Sequence, residues 1–524
     1  MDVITPFLCT SWPDATAPGL PPYHAVIIGA GSFGAYCAAK AARAGRRVLL
    51  LDAGPVILPE HVQNVGDIGL RVPRDGTPDP AGVWRRPWRS NVESPGQAFC
   101  VGGRSLYSGG WLTRLTDGDL LDWPKETALA IQEGYAFTER ETGVEPAWDF
   151  VSGGMHALLL PLLRDAAARV AALGAVTDAP LAVQAAPPES GLFSFDKFSS
   201  VPVLVDAVRA DRERAARRLH VVPAATVTRL RHGGGRVTAI EVVRPARREV
   251  LRIPPSCAVV LALGAVESTR LALHSFPTPL MGRNLMVPLR SDLEVRIHRS
   301  ALPDAPTHGI ATVLVRGVTG FHLQITAFAG ATEKERLFRM VPDLDELDRL
   351  RAETDPEWVS AWVRVVGETR GDRDTRAGTP GGSWITLDHD SADGEPRAYV
   401  SLHAGPAETA AWRAMDAAAV ALLRALVPDP EKIRYRYDGR WHRTPFPVHR
   451  PGIAEWRNGL GVSHRESGTL WMGDDPATSV TNPDGRFHHL TNAYACDTSI
   501  FPAIGSAGPM LTGLTLARRL AGRL

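Results

Sequence analysis

An α/β fold in two parts is predicted by three stretches of the sequence. His24 to Gly54, HAVIIGAGSFGAYCAAKAARAGRRVLLLDAG, reads as strand, glycine turn, Ala-rich helix and second strand ending at Asp52. At Pro288 the pattern changes to strand-like alternation, as in LEVRIHRS, ATVLVRG and FHLQITAFAG, which predicts an antiparallel sheet. Near the end, Ala493 to Cys496 reads as a buried strand that stops at the acid Asp497, far from the first unit. Together these describe a Rossmann-like, dinucleotide-type domain of discontinuous segments, completed by the C-terminus, plus an α+β domain.

The opening unit carries its chemistry in its spacing. Gly29, Gly31 and Gly34 let the chain turn tightly, approach a pyrophosphate without Cβ atoms and pack the helix on the strand. The helix N-terminus offers free N–H groups and a positive dipole end to phosphates. Asp52, at the end of the second strand, is placed to accept hydrogen bonds from a ribose. This stretch alone leaves NAD and FAD both open.

Next, Pro55 to Gln97 is rich in Pro and Gly with few periodic apolar positions, and reads as a lid or binding loop held by its tryptophans. CVGGRSLYSGGWLTRL, Cys100 to Leu115, follows, with Gly102, Gly103, Ser105 and Tyr107 in a loop suited to contact a cofactor. Met155 to Leu173 and Val203 to Arg218 read as helices. HVVPAATVTRLRHGGGRVTAIEVVR reads as a strand, a glycine turn and a returning strand. Cys257 to Leu263 is a short buried strand before GAVESTRLAL, where Gly264 opens another helix.

In the second part, Trp384 to Leu387 and Ala398 to Leu402 are expected to continue the antiparallel sheet. Thr332 to Arg376 reads as charged helical and loop material. Ala407 to Val427 is a helix whose Trp412, Met415, Ala419, Leu422, Leu423 and Leu426 recur at core-facing spacing. Asn482 to Gly485 is a turn, and Met510 to Leu520 a closing helix.

With 58 Lys and Arg against 57 Asp and Glu, the formal charge is +1, which favours a small-molecule partner over nucleic acid or an anionic membrane. No apolar run is long enough for a membrane span, the N-terminal segment is not of signal-peptide type, and the five scattered cysteines have no metal-ligand spacing. A cytoplasmic protein is expected, with Cys37 and Cys257 as packing residues; oligomeric state is left open.

Four motifs in order, GAGSFG with Asp52, VGGRSLYSGG, GAVESTRLAL, and SGTLWMG…NPDGRFHHLTNAYACDTSIFP…PMLTGLTLARR, resemble the glucose-methanol-choline (GMC) oxidoreductases. The resemblance covers nearly the whole chain. It implies an FAD-binding domain in two parts, 20–288 and 453–524, around a substrate domain at 289–452. The lid loop 55–97 and parts of 120–195 are candidates for the substrate domain. It further implies that Gly102, Gly103, Ser105, Tyr107 and Met510 flank the flavin, that Asp497 lies against it, and that the strand of Val227 contacts the adenine. With Tyr107 and Ser108 near the glycine loop, where some relatives carry a flavin-linking histidine, non-covalent FAD is expected.

The departures concern catalysis. Family members oxidise alcohols with a histidine in a pattern like HEAGT taking the hydroxyl proton while hydride passes to flavin. Here the matching residues are Arg465, Glu466, Ser467, Gly468 and Thr469. The partner position, a His or Asn in SANPxLT-like segments, is Gly508, and Pro288 and Ser108 replace a frequent histidine and tryptophan. An arginine has no acceptor and cannot serve as general base. It can grip a carboxylate or stabilise a developing anion. His464, one residue earlier, is the alternative base, although strand alternation would turn it to the opposite face. The reading is an FAD-dependent enzyme acting on a specialised small molecule by redox chemistry without the usual base. The alternative is a non-redox lyase, isomerase or cyclase that keeps FAD as scaffold, with Arg465 as electrophilic group.

Overall fold

The structure is a computed structural model. It describes residues 4–62, 72, 79, 81–146, 154–183, 197–212, 217–245, 247–302, 304–330, 355–390, 395–445, 456–462 and 464–524.

Five short strands form a wholly parallel sheet in the order Ala493–Ala495, Ala258–Leu261, Ala25–Ile28, Val48–Leu51, Leu219–Val222. Their sequences, such as AVII and VLLL, are apolar without alternation because both faces are covered. The helix Ser32–Arg43 lies on this sheet and packs against Ser200–Arg212 and Pro509–Ala521. It sits close because Gly34 has no side chain: a Cβ there would collide with the carbonyl oxygen of Gly29. The Asn482 to Gly485 turn closes with Gly485 N–H donating to Asn482 O at 2.9 Å.

The second sheet has seven antiparallel strands, in the order Arg440–His442, Ile433–Tyr437, Pro288–His298, Trp358–Glu368, Phe321–Ala329, Gly309–Gly317, Leu173–Asp178. One face buries Leu289, Leu293, Val295, Val363 and Val365 with Trp412, Met415 and Leu422 of the helix Pro406–Leu426 and with the helix Gly154–Ala167. Period-two alternation sends Arg290, Asp292 and Glu294 to the other face, where they line a cavity.

Four expectations are corrected. Trp358–Glu368 is a central strand, not helical material; its WVSAWVRVVGE alternates and is rich in β-branched valine. Of that stretch, 332–354 lies outside the described residues. The helix expected to reach Leu173 ends at Ala167, and Leu173–Asp178 is an edge strand. The helix expected over 203–218 runs Ser200–Arg212. Trp384–Asp388 and Arg397–Ser401 do not extend the large sheet. They pair with Arg89–Ser90 in a separate three-stranded sheet, which buries Ile385, Val400 and Trp88 with Val266 of the helix Ala265–Ser275. Of the expected lid, 63–71, 73–78 and 80 lie outside the described residues; the remainder includes the pairing of Trp84–Arg85 with Gln97–Ala98.

Candidate active site

A cavity of about 1110 Å³ reaches from Gly29, Gly31 and Asp52 at one end to His464, Arg465 and Gly508 at the other. Gly31 caps the helix Ser32–Arg43, and a Cβ placed on it would meet nothing within 4 Å, so it would project into open space. That is the cradle a phosphate needs at a helix N-terminus. Gly102 N–H donates to Ala30 O at 2.8 Å, which brings the glycine loop over this turn; a Cβ on Gly103 would sit 3.2 Å from Gly31 Cα.

Asp52 lines the cavity with each carboxylate oxygen accepting one backbone N–H, from Ala30 and from Gly54, both at 2.8 Å. Burial pushes its carboxyl up to about 6, against the pull of those two N–H groups. Lone pairs remain for a ribose hydroxyl. The donor set and the open cradle fit a dinucleotide.

Gly264, Tyr107 and Met510 also line the cavity. Tyr107 stands edge-on to Trp84, with ring centroids 5.1 Å apart. Gly34, Gly102, Ser105, Val227 and Asp497 are not part of the lining. Ser105 is buried and donates to Gly102 O at 2.6 Å, holding the loop from behind. Val227 is buried in a three-stranded sheet opposite Val242. Asp497 accepts from Gly264 N–H at 3.0 Å, Ser268 Oγ at 2.5 Å and Ser499 N–H at 2.9 Å, so it ties the C-terminal strand to the Gly264 turn. Burial raises its carboxyl despite these donors.

The other end is dense in charge. Asp292 accepts from Arg290 Nη2 at 2.6 Å, Arg364 Nε at 2.7 Å and Asn458 Nδ2 at 2.9 Å. Burial alone would raise its carboxyl, but the two guanidinium groups outweigh that and hold it well below the usual carboxylate range. Arg104 Nη1 donates to Glu466 Oε2 at 2.9 Å and to His464 O at 2.8 Å.

His464 and Arg465 both line the cavity, which removes the objection from strand alternation. His464 is not in a strand: its φ is +54°, a left-handed conformation that Arg104 holds through the carbonyl. Its Nδ1 is buried without a hydrogen-bond partner among the described residues. Burial first, then Arg104, Arg290 and Arg465, push its pKa well below the usual histidine value, so the ring is neutral.

Arg465 is partly buried, and burial, followed by the charges of Arg290 and Arg364, lowers its pKa to about 10; it remains a cation at neutral pH. Among the described residues no carboxylate or carbonyl accepts from its guanidinium. The group lies against Gly508, where an added Cβ would be 3.5 Å from Cζ.

Sequence reasoning missed Arg104, Asp292 and Arg364 as site residues. For Asp292 a signal existed: Arg290, Asp292 and Glu294 alternate with Leu289, Leu293 and Val295, so one strand face was visibly polar. For Arg104 there was none, since its partner Glu466 is 362 residues away.

Residues 382–517 match the family model described as GMC oxidoreductase, and residues 27–58 the one described as NAD(P)-binding Rossmann-like domain. These matches put GMC-type sequence in the C-terminal part of the chain and a Rossmann-like unit near its start. Among solved structures, the chain is similar in fold to pyridoxine 4-oxidase from Mesorbium loti, with a TM-score of 0.59, 17% identity, and 95% and 98% of the two chains covered. It is also similar to a formate oxidase of Aspergillus oryzae RIB40 studied for the effect of an arginine-to-lysine mutation on FAD modification (TM-score 0.62, 13% identity, 95% and 97% covered). A curated relative, paromamine 6'-oxidase of Streptomyces fradiae, is 38% identical over 78 residues, which spans 12% of this chain and 14% of that protein. Among the described residues no helix is long and apolar enough to cross a membrane.

Proposed function

We propose that this protein is a GMC-type oxidoreductase that binds FAD non-covalently and uses it on a specialised small-molecule substrate without the family's histidine base. The observation that carries the reading is the single cavity joining the cradle at Gly31 and Asp52 to Arg465 and Gly508. The N–H groups of the first turn of Ser32–Arg43 would hold the pyrophosphate and Asp52 a ribose hydroxyl. Bound there, FAD supplies an acceptor for a hydride.

This chain's own residues then bind, orient and move the proton. Arg465 orients the substrate or balances developing negative charge. As hydride leaves the substrate carbon, the accompanying proton passes to the neutral ring of His464 or to water in the cavity. A positioned base of suitable pKa is typically worth about 10² to 10⁴ in rate; with His464 so weakly basic, slow oxidation of ordinary alcohols is expected.

The unpaired guanidinium at the base position also favours a second reading: a lyase, isomerase or cyclase in which FAD is retained and Arg465 is the electrophilic group. Anaerobic mixing with candidate hydroxylated substrates separates the two. Loss of flavin absorbance near ~450 nm at the rate of product formation supports redox turnover. Product formed in single-turnover mixing with the flavin oxidised throughout contradicts it and supports the second reading.

A further inference from the structure

We infer that the substrate is a carboxylate-bearing small molecule whose carboxylate Arg465 holds in the space left by Gly508. The inference rests on the reading of this cavity as the substrate site and adds the chemical class of what enters it.

The other arginines at this end of the cavity each have a carboxylate. Arg290 and Arg364 are on Asp292, at 2.6 and 2.7 Å, Arg436 is 3.4 Å from Glu294, and Arg104 is 2.9 Å from Glu466. Arg465 has none among the described residues. A buried charge left uncompensated is costly, and Arg465 also faces repulsion from Arg290 and Arg364. A ligand anion would relieve both.

The geometry selects the anion. A guanidinium presents a planar fork that matches a carboxylate with two parallel hydrogen bonds. Arg290 and Arg364 share Asp292, so the arginines at this end outnumber the carboxylates and the local charge favours an anion beside Arg465. Gly508 leaves the space beside the fork empty: an added Cβ already touches Nη1 at 3.5 Å and Nη2 at 3.6 Å, and a longer side chain would occupy it. Beyond the charged cluster the cavity wall includes Trp362, Tyr437 and Trp456, surfaces on which a ring can lie.

The test is a binding titration of the purified protein, read by the fluorescence of its tryptophans and, independently, by perturbation of the flavin absorbance. The probes are sodium benzoate, the neutral isostere benzamide, and inorganic phosphate. Benzoate is expected to bind saturably, benzamide at least about tenfold more weakly, and phosphate no more tightly than benzoate. Arg465→Gln should weaken benzoate at least about tenfold and leave benzamide unchanged, with Arg465→Lys intermediate. Thermal melting of each variant establishes that it is folded. If Arg465→Gln does not fold, Gly508→Asn is expected to give the same loss by filling the space.

Equal binding of benzoate and benzamide, or an Arg465→Gln protein that binds benzoate like the parent, overturns the inference. Tighter binding of phosphate overturns the carboxylate assignment. A protein that neither holds nor takes up flavin refutes the proposed function instead, and the tryptophan titration still reads the carboxylate. Intact flavin turnover with no preference for benzoate sinks the inference alone.

Discussion

A Cβ placed on Gly508, at the N-cap of the helix Pro509–Ala521, would lie 3.5 Å from Cζ of Arg465, in van der Waals contact with its guanidinium. Gly508 has φ −64° and ψ 136°, which any residue adopts. Gly508→Ala should therefore fold normally. Gly508→Asn should keep or slightly raise the melting temperature, because asparagine is a better N-cap than glycine by about a few tenths of a kcal/mol. Its amide would displace the fork of Arg465 and weaken benzoate at least about tenfold. Melting curves and the titration measure the two effects separately.

Carboxylate binding should be flat between about pH 6 and 8.5. The groups around Arg465 do not change charge there: His464 stays neutral below its usual range, burial holds His322 at about 3, and Asp292 stays ionised beside Arg290 and Arg364. Arg104 is paired with Glu466 at 2.9 Å. Affinity should fall only as pH approaches about 10, where Arg465 loses its proton. A break near pH 6.5 in benzoate affinity that persists in Glu368→Gln would show that a histidine titrates at the site.

Two glycines of one motif should fail differently. Gly31→Ala places its Cβ in open space, so the protein should fold with an unchanged melting temperature but lose flavin affinity at least about tenfold. Gly34→Ala drives its Cβ into Gly29 O and to 2.9 Å from the Ala262 Cβ, so it should lose stability as well, by about 1–3 kcal/mol. Flavin content and urea unfolding of the two variants measure the difference.

Burial and, next, the charge of Asp119 raise the carboxyl of Glu368 to about 7, against Arg370 and the N–H of Gly505, just before the Gly508 turn. The sign follows from proton binding. From about pH 4.5, where an unfolded glutamate ionises, to about pH 7, where the folded one does, the folded state holds the extra proton. This group's contribution therefore falls as pH rises through that window, by on the order of 1–3 kcal/mol in all. Glu368→Gln should flatten the dependence and be the more stable protein at pH 8. Melting temperature against pH for both proteins checks it, and parallel curves would contradict the assignment.

The α/β class and the antiparallel sheet were legible because apolar runs, glycines and alternation are local patterns. Ala25–Ile28 and Val48–Leu51 announce buried parallel strands by having no polar face. Trp358–Glu368 was obscured by the charged sequence before it, although its own alternation was readable. The left-handed turn at His464 could not be read, because it depends on Arg104 reaching across from a loop 360 residues away. The same holds for Asp497: its sequence position suggested cofactor contact, while its hydrogen bonds to Gly264 and Ser268 show a residue that shapes the wall from outside the lining. Local pattern names the elements, but long-range pairing decides which polar groups reach the cavity.

The central claim is that the cradle at Gly31 and Asp52 holds FAD without a covalent link. Acid precipitation of the purified protein tests it directly. The account predicts a yellow protein whose flavin is released quantitatively into the supernatant as FAD. A colourless protein that takes up no added FAD, or flavin that stays with the precipitate, would contradict it.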